Sequence, residues 1–315
     1  MDDIRIVFMG TPGFAVGVLK KLIEEGQNVV GVITAPDKPA GRGRKLHESA
    51  VKKYALEQEI PLLQPTNLKN EAFLTDLASL NANLQIVVAF RMLPKAVWAM
   101  PRFGTFNLHA SLLPQYRGAA PINWAIVNGE TQTGVTTFFI DEKIDTGAIL
   151  LQETVPIATT ETVGTLHDKL MEVGSELVLQ TVTWIANGKA TAQPQVPQND
   201  LKEAPKLTSE NTQIDWSKGI ETIDALIRGL SPYPAAWSYL TNNKEKLKVK
   251  IYACEIQEET HSHTPGSLHV GKKELKIAAS NGYVSIQQLQ IPGKRKMDVV
   301  SLLNGYSFDE GAKML

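Results

Sequence analysis

The N-terminal part of the chain alternates apolar runs with amphipathic stretches, and this alternation restricts the possible folds more than any other feature of the sequence. Residues 4–9 (IRIVFM) are predominantly apolar up to Gly10, which is typical of a strand buried in a parallel sheet. Residues 14–25 carry apolar side chains at helical spacing and end before Gly26, and residues 28–34 (NVVGVIT) form a second apolar run. A strand, a helix and a strand within about 30 residues predict a right-handed βαβ unit.

The same alternation continues as far as residue 187. It predicts helices near 46–58, 69–80, 119–128 and 162–187, strands near 60–63, 84–90 and 105–109, and a late antiparallel pair of strands at 134–140 and 149–157. We therefore expect an α/β fold in which a doubly wound, Rossmann-like sheet is covered by helices on both faces.

The character of the sequence changes after the last of these helices. Residues 188–209 hold three prolines and few large apolar side chains, which is typical of a linker. Beyond them, short β-prone runs separated by turn residues predict a small OB-like β-barrel. The predicted domains are an α/β catalytic domain at 1–189, a linker at 190–208 and a β-barrel domain at 209–315.

Composition favours a cytoplasmic, water-soluble protein. The chain is 43% hydrophobic and 21% charged with a net charge of −1, so no overall field points to a nucleic acid or a membrane as partner. Its single cysteine, Cys254, excludes an internal disulfide and a cysteine-rich zinc site. No apolar run approaches the roughly 18–20 residues of a membrane span, and residues 1–3 are unlike a signal peptide.

Two segments look like cofactor motifs but lack essential parts of them. Residues 9–14 (MGTPGF) occupy the position of a dinucleotide-binding loop, yet the middle glycine is absent and Pro12 has no N–H for a pyrophosphate. His261 and His263 resemble a fragment of a metal site, but no cysteine or acidic ligand has a matching spacing. We therefore expect neither nicotinamide binding nor a metal.

Residues 107–121 (NLHASLLPQYRGAAP) carry the strongest chemical signal. Side chains alternate along a strand, so Asn107 and His109 face the same side of the predicted sheet. Both lie at the carboxyl end of a central strand, which is the edge where open α/β sheets bind ligands. An amide beside an imidazole needs one further partner to form a catalytic set.

A carboxylate in residues 134–150 is a candidate for that partner. Asp141 and Asp145 follow a predicted strand, and either could hold His109 by one ring nitrogen and leave the other to take a proton. The alternative for residues 145–147 is an ordinary Asx turn.

Positive charge is clustered in two stretches. Residues 34–53 contain six lysines and arginines against two acidic residues, which we interpret as a flexible loop that contacts a phosphate backbone or as a solvated connection. In the C-terminal part, every second residue of one run is a lysine, which predicts a lysine-lined strand face at Lys244, Lys246, Lys248 and Lys250. That face is either a solvated side of the barrel or a platform for RNA.

These segments together resemble the folate-dependent formyltransferases. The resemblance is carried by Asn-x-His and Ser-Leu-Leu-Pro in residues 107–114 and by the Asp-x-Gly turn at 145–147. The basic stretch at 37–46 and the segment 231–237 (SPYPAAW) are similar to those of the family members that act on tRNA. The resemblance covers nearly the whole chain.

The resemblance implies transfer of a formyl group from 10-formyltetrahydrofolate, a co-substrate, to the α-amino group of methionine on initiator methionyl-tRNA. It implies catalysis by Asn107, His109 and Asp145, without a metal. The folate contacts that it implies are Ser111, Leu112, Leu113, Pro114, Phe90, Arg91, Met92 and Asp141. The tRNA contacts expected from the resemblance and the two basic stretches are Lys38, Arg42, Arg44, Lys45, Lys248 and Lys250. We expect a monomer with no membrane contact.

Two alternatives remain open at this point. A folate-dependent formyltransferase acting on a small amine, such as a sugar nucleotide or a purine precursor, would use the same three catalytic residues but would need neither basic stretch. A non-catalytic RNA-binding protein on the same fold would need the basic stretches but not the catalytic set.

Overall fold

The computed structural model describes residues 3–40, 45–196 and 199–315. The helices are α1 Gly13–Glu24, α2 Ala50–Glu57, α3 Glu71–Ser79, α4 Lys95–Trp98, α5 Pro121–Val127, α6 Val163–Ala186, α7 Ile220–Leu230 and α8 Val299–Leu303. The strands are β1 Ile6–Gly10, β2 Val29–Ile33, β3 Lys38–Ala40, β4 Lys45–His47, β5 Leu62–Leu63, β6 Leu84–Val88, β7 Thr105–His109, β8 Arg117–Gly118, β9 Gln132–Phe139, β10 Ile149–Pro156, β11 Glu203–Ala204, β12 Ala236–Asn242, β13 Glu245–Glu258, β14 Leu268–Val270, β15 Leu275–Ala278, β16 Gly282–Gln290, β17 Met297–Asp298 and β18 Lys313–Met314.

The chain divides into two compact units. Unit 1 comprises Met1–Gly118, Thr133–Pro156 and His167–Glu203, and unit 2 comprises Ala119–Gln132, Ile157–Leu166 and Ala204–Leu315. The predicted domain boundaries at 189 and 208 remain a prediction, but residues 190–203 of the predicted linker belong to unit 1. Gln193 explains part of this, because its backbone exchanges two hydrogen bonds of 2.8 Å with Ile149 of β10.

Unit 1 is built on a seven-stranded sheet with the order β10-β9-β7-β6-β1-β2-β5. The central strand β1 is parallel to β2 and β6, β6 is parallel to β7, and β9 is antiparallel to β7. The carboxyl ends of β1, β6 and β7 therefore meet at one edge, which is the ligand-binding edge of doubly wound folds. The predicted Rossmann-like fold is confirmed.

Helices cover both faces of this sheet. Val7 and Val87 pack with Phe73 of α3 in one buried cluster. On the opposite face, α6 lies close to β7, because a Cβ atom at Gly174 would be only 2.9 Å from Leu108. Side chains alternate along β7, so Leu108 points toward α6 while Asn107 and His109 point toward the other face of the sheet.

Unit 2 contains a nearly closed antiparallel barrel, which confirms the predicted C-terminal β-barrel. Its strands have the order β14-β15-β16-β13-β12-β18, and an antiparallel bridge between Ser267 and Lys313 connects the two outer strands. Closing the sheet in this way removes the exposed edges that would otherwise pair with other chains.

Helix α7 of unit 2 differs from the expectation, because the short β-prone runs of this part of the sequence predict only strands. Ile220, Ile223, Ile227 and Leu230 are all buried in the core of the barrel unit. Their spacing places them on one face of a helix, and this pattern was the available signal.

Two predictions about the basic stretches are wrong in detail. The stretch 34–53 is not simply a loop, since β3 and β4 pair antiparallel with Lys38 opposite His47. Lys244 does not lie on a strand with the other lysines, because it and Asn243 form the turn of the β12–β13 hairpin with φ angles of 65° and 49°. Such left-handed angles at both central residues match a hairpin turn of the primed type.

Across the described ranges, α-helices long and apolar enough to cross a bilayer are absent.

Burial in unit 1 leads to a stability prediction. Leu19 of α1 is fully buried, whereas Leu56 of α2 is 54% exposed. We expect Leu19→Ala to lower the free energy of unfolding by about 2–5 kcal/mol, because it removes buried methyl groups and leaves a cavity. The matched control Leu56→Ala should change it by less than about 0.5 kcal/mol. Urea unfolding followed by circular dichroism measures both, and equal losses would contradict the packing described here.

Candidate active site

Strand β7 presents Asn107 and His109 at the carboxyl edge of the unit 1 sheet. Asn107 lies opposite Val87 of β6 and Phe138 of β9, and His109 lies opposite Thr136. His109 is 6% exposed, while Asn107 is half-buried. Within the described residues the Asn107 amide has no hydrogen-bond partner in the protein, so its N–H groups are free to bind a ligand.

The two ring nitrogens of His109 have different surroundings. Nε2 lies 2.8 Å from the Tyr116 carbonyl oxygen, and because a carbonyl can only accept, Nε2 must carry the proton of this bond. Nδ1 lies 3.8 Å from Oδ2 of Asp145, which is within ion-pair range but too long for a hydrogen bond. In the neutral imidazole Nδ1 is therefore the nitrogen that can still accept a proton.

Asp145, rather than Asp141, is the carboxylate that approaches the histidine. Its Oδ2 accepts the Gly118 backbone N–H at 3.0 Å, and its side chain is 14% exposed. Asp141 instead forms the local turn, accepting from the Lys143 N–H at 2.9 Å and from the Thr146 hydroxyl at 2.8 Å. The question that the sequence left open is thus answered by position, since Asp141 is exposed and occupied locally.

Gly147 allows the Asp145 turn to pack this closely. A Cβ atom at Gly147 would lie 1.6 Å from the Phe139 carbonyl oxygen, so no other residue fits without moving the backbone. Asp145 itself has a φ of 54°, a left-handed conformation that is uncommon for a non-glycine residue. The turn is therefore held in an unfavourable shape by its surroundings.

The predicted folate residues 111–114 form the loop that follows β7. Ser111 is fully buried and its hydroxyl donates to the Gln115 carbonyl at 2.6 Å. The Leu113 N–H donates to Thr136 Oγ1 at 3.2 Å, and Pro114 is buried beside it after a cis peptide bond. Leu112 alone of the four is partly exposed. The polar groups of Ser111 and Leu113 thus maintain the shape of the loop.

The other predicted folate residues lie in loops after β6 and β9. Met92 is 65% exposed, whereas Phe90 packs partly against the apolar cluster beneath it. The Arg91 guanidinium donates to the carbonyls of Pro65 and Thr66. Met92 is thus the most available apolar side chain of this group.

The predicted tRNA-binding residues occupy two separate places in the chain. In unit 1, Lys38 is exposed on β3, at the start of the β3–β4 hairpin. Arg42 and Arg44, and the side chain of Lys45, lie outside the described residues. Lys52 of α2 forms an ion pair with Asp37, which precedes β3, and thereby connects α2 to the base of the hairpin. The hydrogen bond from Lys52 lowers the pKa of the Asp37 carboxyl.

In unit 2, two lysines of β13, Lys246 and Lys248, lie over the aromatic rings of Tyr239 and Trp237 of β12. Nζ of Lys248 is 3.6 Å from the centre of the Trp237 ring and donates to Ser209 Oγ at 3.2 Å. Nζ of Lys250 donates to the Pro234 carbonyl at 3.0 Å. Lys248 and Lys250 therefore already have hydrogen-bond partners within the protein, and Lys248 covers one face of the Trp237 ring.

The histidines that resembled a metal fragment are occupied with each other and with the backbone. His261 accepts the His263 N–H at 3.2 Å through Nδ1 and donates to the Gly282 carbonyl at 3.0 Å through Nε2. Among residues with described positions, no group of three or more His, Cys, Asp or Glu side chains has the arrangement to hold a metal ion.

Sequence reasoning missed three groups at this site. The Tyr116 carbonyl and the Gly118 N–H belong to the backbone, so residue type does not predict their role. The third is Gln195, which donates to the carbonyls of Asp145 and Gly147. It lies in the predicted linker, a segment whose composition gave no sign of a structural role.

Comparison with known families gives matches over most of the chain. Residues 4–182 match a family model described as "Formyl transferase", and residues 206–307 match "Formyl transferase, C-terminal domain". A "Methionyl-tRNA formyltransferase" of Flavobacterium johnsoniae is 59% identical over 314 residues, with 100% of both chains covered. One of Bacteroides fragilis is 53% identical over 318 residues and covers 99% of this chain and 98% of its own.

Solved structures with lower sequence identity share the fold. HypX from Aquifex aeolicus, in complex with tetrahydrofolic acid, has a TM-score of 0.65 at 19% identity, with 96% of this chain and 47% of HypX covered. This chain thus spans about half the length of HypX. WlaRD, a sugar 3N-formyl transferase, has a TM-score of 0.65 at 20% identity, with 94% of this chain and 100% of WlaRD covered.

The close packing at Gly147 predicts a strong effect of a single methyl group. We expect Gly147→Ala to destabilise unit 1 by about 1–3 kcal/mol, because the turn or β9 must shift to admit the Cβ atom. Gly13→Ala is the control, since a Cβ at Gly13 meets nothing within 4 Å, and it should be neutral or slightly stabilising. Thermal and urea unfolding measure the difference. A Gly147→Ala variant as stable as the unchanged chain would refute this account of the turn.

Proposed function

This chain belongs to the formyl transferase family, and we propose that it formylates the α-amino group of methionine on initiator methionyl-tRNA, for translation initiation. The observation that carries this proposal is its similarity, from end to end, to methionyl-tRNA formyltransferases at 59% and 53% identity. The alternative of a small amine acceptor is less favoured, because the sugar formyl transferase compared above is only 20% identical.

We further propose 10-formyltetrahydrofolate as the donor. Support comes from the family, and from the HypX and WlaRD structures, which were obtained with tetrahydrofolic acid and with 5-N-formyl-THF. Leu112 and Met92 offer apolar surface for a flat ring, while Ser111, Leu113 and Pro114 would contribute the shape of the loop. Phe90, Arg91 and Asp141 complete the proposed folate site.

His109 is the proposed general base. An α-amino group has a pKa of about 8, so near pH 7 it must lose a proton before it can attack the formyl carbon. Nδ1 of His109 takes this proton, directly or through one water, because its Nε2 proton is already donated to the Tyr116 carbonyl. Asp145, with Oδ2 3.8 Å from Nδ1, stabilises the resulting imidazolium by its negative charge.

Asn107 is the proposed donor to the oxyanion. Attack forms the new C–N bond and places negative charge on the formyl oxygen, and the free Asn107 amide donates to that oxygen. The attacking nitrogen of the tetrahedral intermediate then loses its second proton to water. The bond between the formyl carbon and the folate nitrogen breaks, and the imidazolium transfers its proton to the folate nitrogen. The products are the formylated amine and tetrahydrofolate, and no step of this proposal uses a metal.

For the tRNA we propose a contact at the β3–β4 hairpin and a second on β13. Lys38 is exposed on β3. Arg42, Arg44 and Lys45 are included among the proposed tRNA contacts from the sequence alone. Lys248 and Lys250 form the proposed contact on β13. To bind phosphate, their ammonium groups would exchange their hydrogen bonds to Ser209 and Pro234 for bonds to phosphate oxygens. We also propose that the enzyme is a cytoplasmic monomer.

A labelling experiment tests the proposed acceptor. The chain is incubated with 10-formyltetrahydrofolate labelled in the formyl carbon, together with charged initiator tRNA, charged elongator tRNA or a dTDP-amino sugar. We expect label to accumulate on initiator methionyl-tRNA. Label on the amino sugar instead would favour the small-amine alternative, and no label on any acceptor would refute formyl transfer.

Substitution of two of the three catalytic candidates, Asn107 and His109, should separate their roles. We expect Asn107→Ala to lower kcat by about 10²–10³-fold through loss of the oxyanion donor. His109→Ala should lower it by about 10²–10⁴-fold through loss of the base. Single-turnover formylation measures both rates, and thermal unfolding confirms that the variants fold. A folded variant with a near-normal kcat would remove that residue from the catalytic set.

Lys38 provides the test of the proposed hairpin contact. Lys38→Ala should raise KM for tRNA while KM for folate stays unchanged, and it should reduce the salt dependence of tRNA binding by about one ion. The control is Lys20→Ala, an exposed lysine of α1 whose Nζ lies 3.6 Å from Glu24. Equal changes in both KM values, or an equal effect of the control, would argue against a phosphate contact at Lys38.

A further inference from the structure

We propose that Gln195 is a positioning residue that holds Asp145 in place for catalysis. This inference rests on the proposed function, because it assumes that the Asp145 carboxylate acts on His109. Gln195 lies outside every motif that carries the family resemblance, in the segment that the sequence predicts to be a linker.

The hydrogen bonds of Gln195 fix the orientation of its amide. Its Oε1 accepts from Nε and Nη2 of Arg117 at 3.2 and 2.5 Å, and a guanidinium can only donate. The amide nitrogen must therefore point the other way, where it donates to the carbonyls of Asp145 and Gly147, each at 2.9 Å. Both donors and the acceptor of one side chain are thus used within the site.

These hydrogen bonds constrain the residue of the turn with the least favourable backbone conformation, Asp145. Asp145 has a φ of 54°, and such conformations persist only where neighbouring groups enforce them. Gln195 binds the carbonyls of Asp145 and Gly147, so the peptide that follows each of these two residues is constrained. The direction of the Asp145 side chain toward His109 follows from that constraint.

Gln195 also connects the turn to the loop on the other side of the histidine. Arg117, which Gln195 binds, precedes Gly118, whose N–H donates to Asp145 Oδ2 at 3.0 Å. The same segment of the chain reaches the Tyr116 side of the site, where the Lys202 carbonyl accepts the Tyr116 N–H at 2.6 Å. The segment after α6 thus supports both groups that His109 faces, the Asp145 carboxylate and the Tyr116 carbonyl.

The isosteric variant Gln195→Glu separates the two halves of this interaction. A carboxylate keeps the acceptor for Arg117 but replaces the N–H donors with an oxygen that faces two carbonyl oxygens. If the hold on Asp145 is what matters, Gln195→Glu and Gln195→Ala should both lower kcat by about 10–100-fold, because small misplacements of a catalytic group are costly. KM for tRNA and for folate should stay within about twofold, since no substrate contact is lost.

Gln193→Ala is the matched control in the same segment. Its side chain is exposed, and only its backbone pairs with Ile149, so the substitution should leave kcat unchanged. A control that lowers kcat as much as Gln195→Ala would mean that the segment tolerates no change, and it would overturn a specific role of Gln195.

A double-mutant cycle with Asp145 distinguishes positioning from general stability. If Gln195 acts through Asp145, then Gln195→Ala should lower kcat by less than about twofold in an Asp145→Asn background, where the carboxylate is already absent. Single-turnover conditions with excess enzyme make these slow rates measurable. Losses that simply multiply would show that Gln195 acts independently of Asp145, which would overturn the proposal.

Hydrogen exchange tests the hold on the turn without reference to the reaction. Amides in residues 141–148 should exchange faster in Gln195→Ala than in the unchanged chain, while those of β1 should not change. If the unchanged chain formylates no methionyl-tRNA, the proposed function fails. Hydrogen exchange of residues 141–148 then still tests whether Gln195 holds the turn. Unchanged exchange in residues 141–148 would overturn that hold even if the chain is an active formyltransferase.

Discussion

The approach of the Asp145 carboxylate to His109 is the interaction on which the rest of the site depends. The carboxylate accepts one backbone N–H, from Gly118, and faces Nδ1 of the histidine at 3.8 Å. A buried carboxylate without such partners would be strongly disfavoured, and a buried imidazolium without a nearby negative charge equally so. Under the proposed function, this pairing is what would let His109 take up a proton although its side chain is only 7% exposed.

The fold serves this pair by bringing separate segments to one sheet edge. β7 supplies the histidine, the loop after it supplies the Tyr116 carbonyl, and the turn between β9 and β10 supplies the carboxylate. These segments already bring the histidine and the carboxylate to within 3.8 Å of each other, so the proposed reaction would need little rearrangement of the two side chains. This is the preorganisation that makes hydrogen-bond donors and charges effective in catalysis.

The sequence predicted those features of the fold and of the site that depend on neighbouring residues alone, and it did not predict those that depend on tertiary packing. The period-two pattern of β7 correctly placed Asn107 and His109 on one face, because alternation is a property of the strand alone. Residue spacing alone did not choose between Asp141 and Asp145, and only the family resemblance singled out Asp145, since the choice depends on how closely the turn packs on Phe139. Helix α7 was missed although its spacing was visible, because the surrounding strands dominated the interpretation of unit 2.

The sequence by itself determined the doubly wound sheet, the barrel and the residues that carry the family resemblance, because periodic burial and side-chain chemistry are both encoded in residue types. Only the tertiary structure decided which ring nitrogen of His109 binds the Tyr116 carbonyl and which one faces the Asp145 carboxylate. It also placed Gln195, in a segment with the composition of a linker, within hydrogen-bond distance of the carbonyls of Asp145 and Gly147. The reason is physical: the groups that His109 and Asp145 face are a backbone carbonyl and a backbone N–H. Nearly every residue of this loop has both groups, Pro114 lacking the N–H, and only folding selects among them.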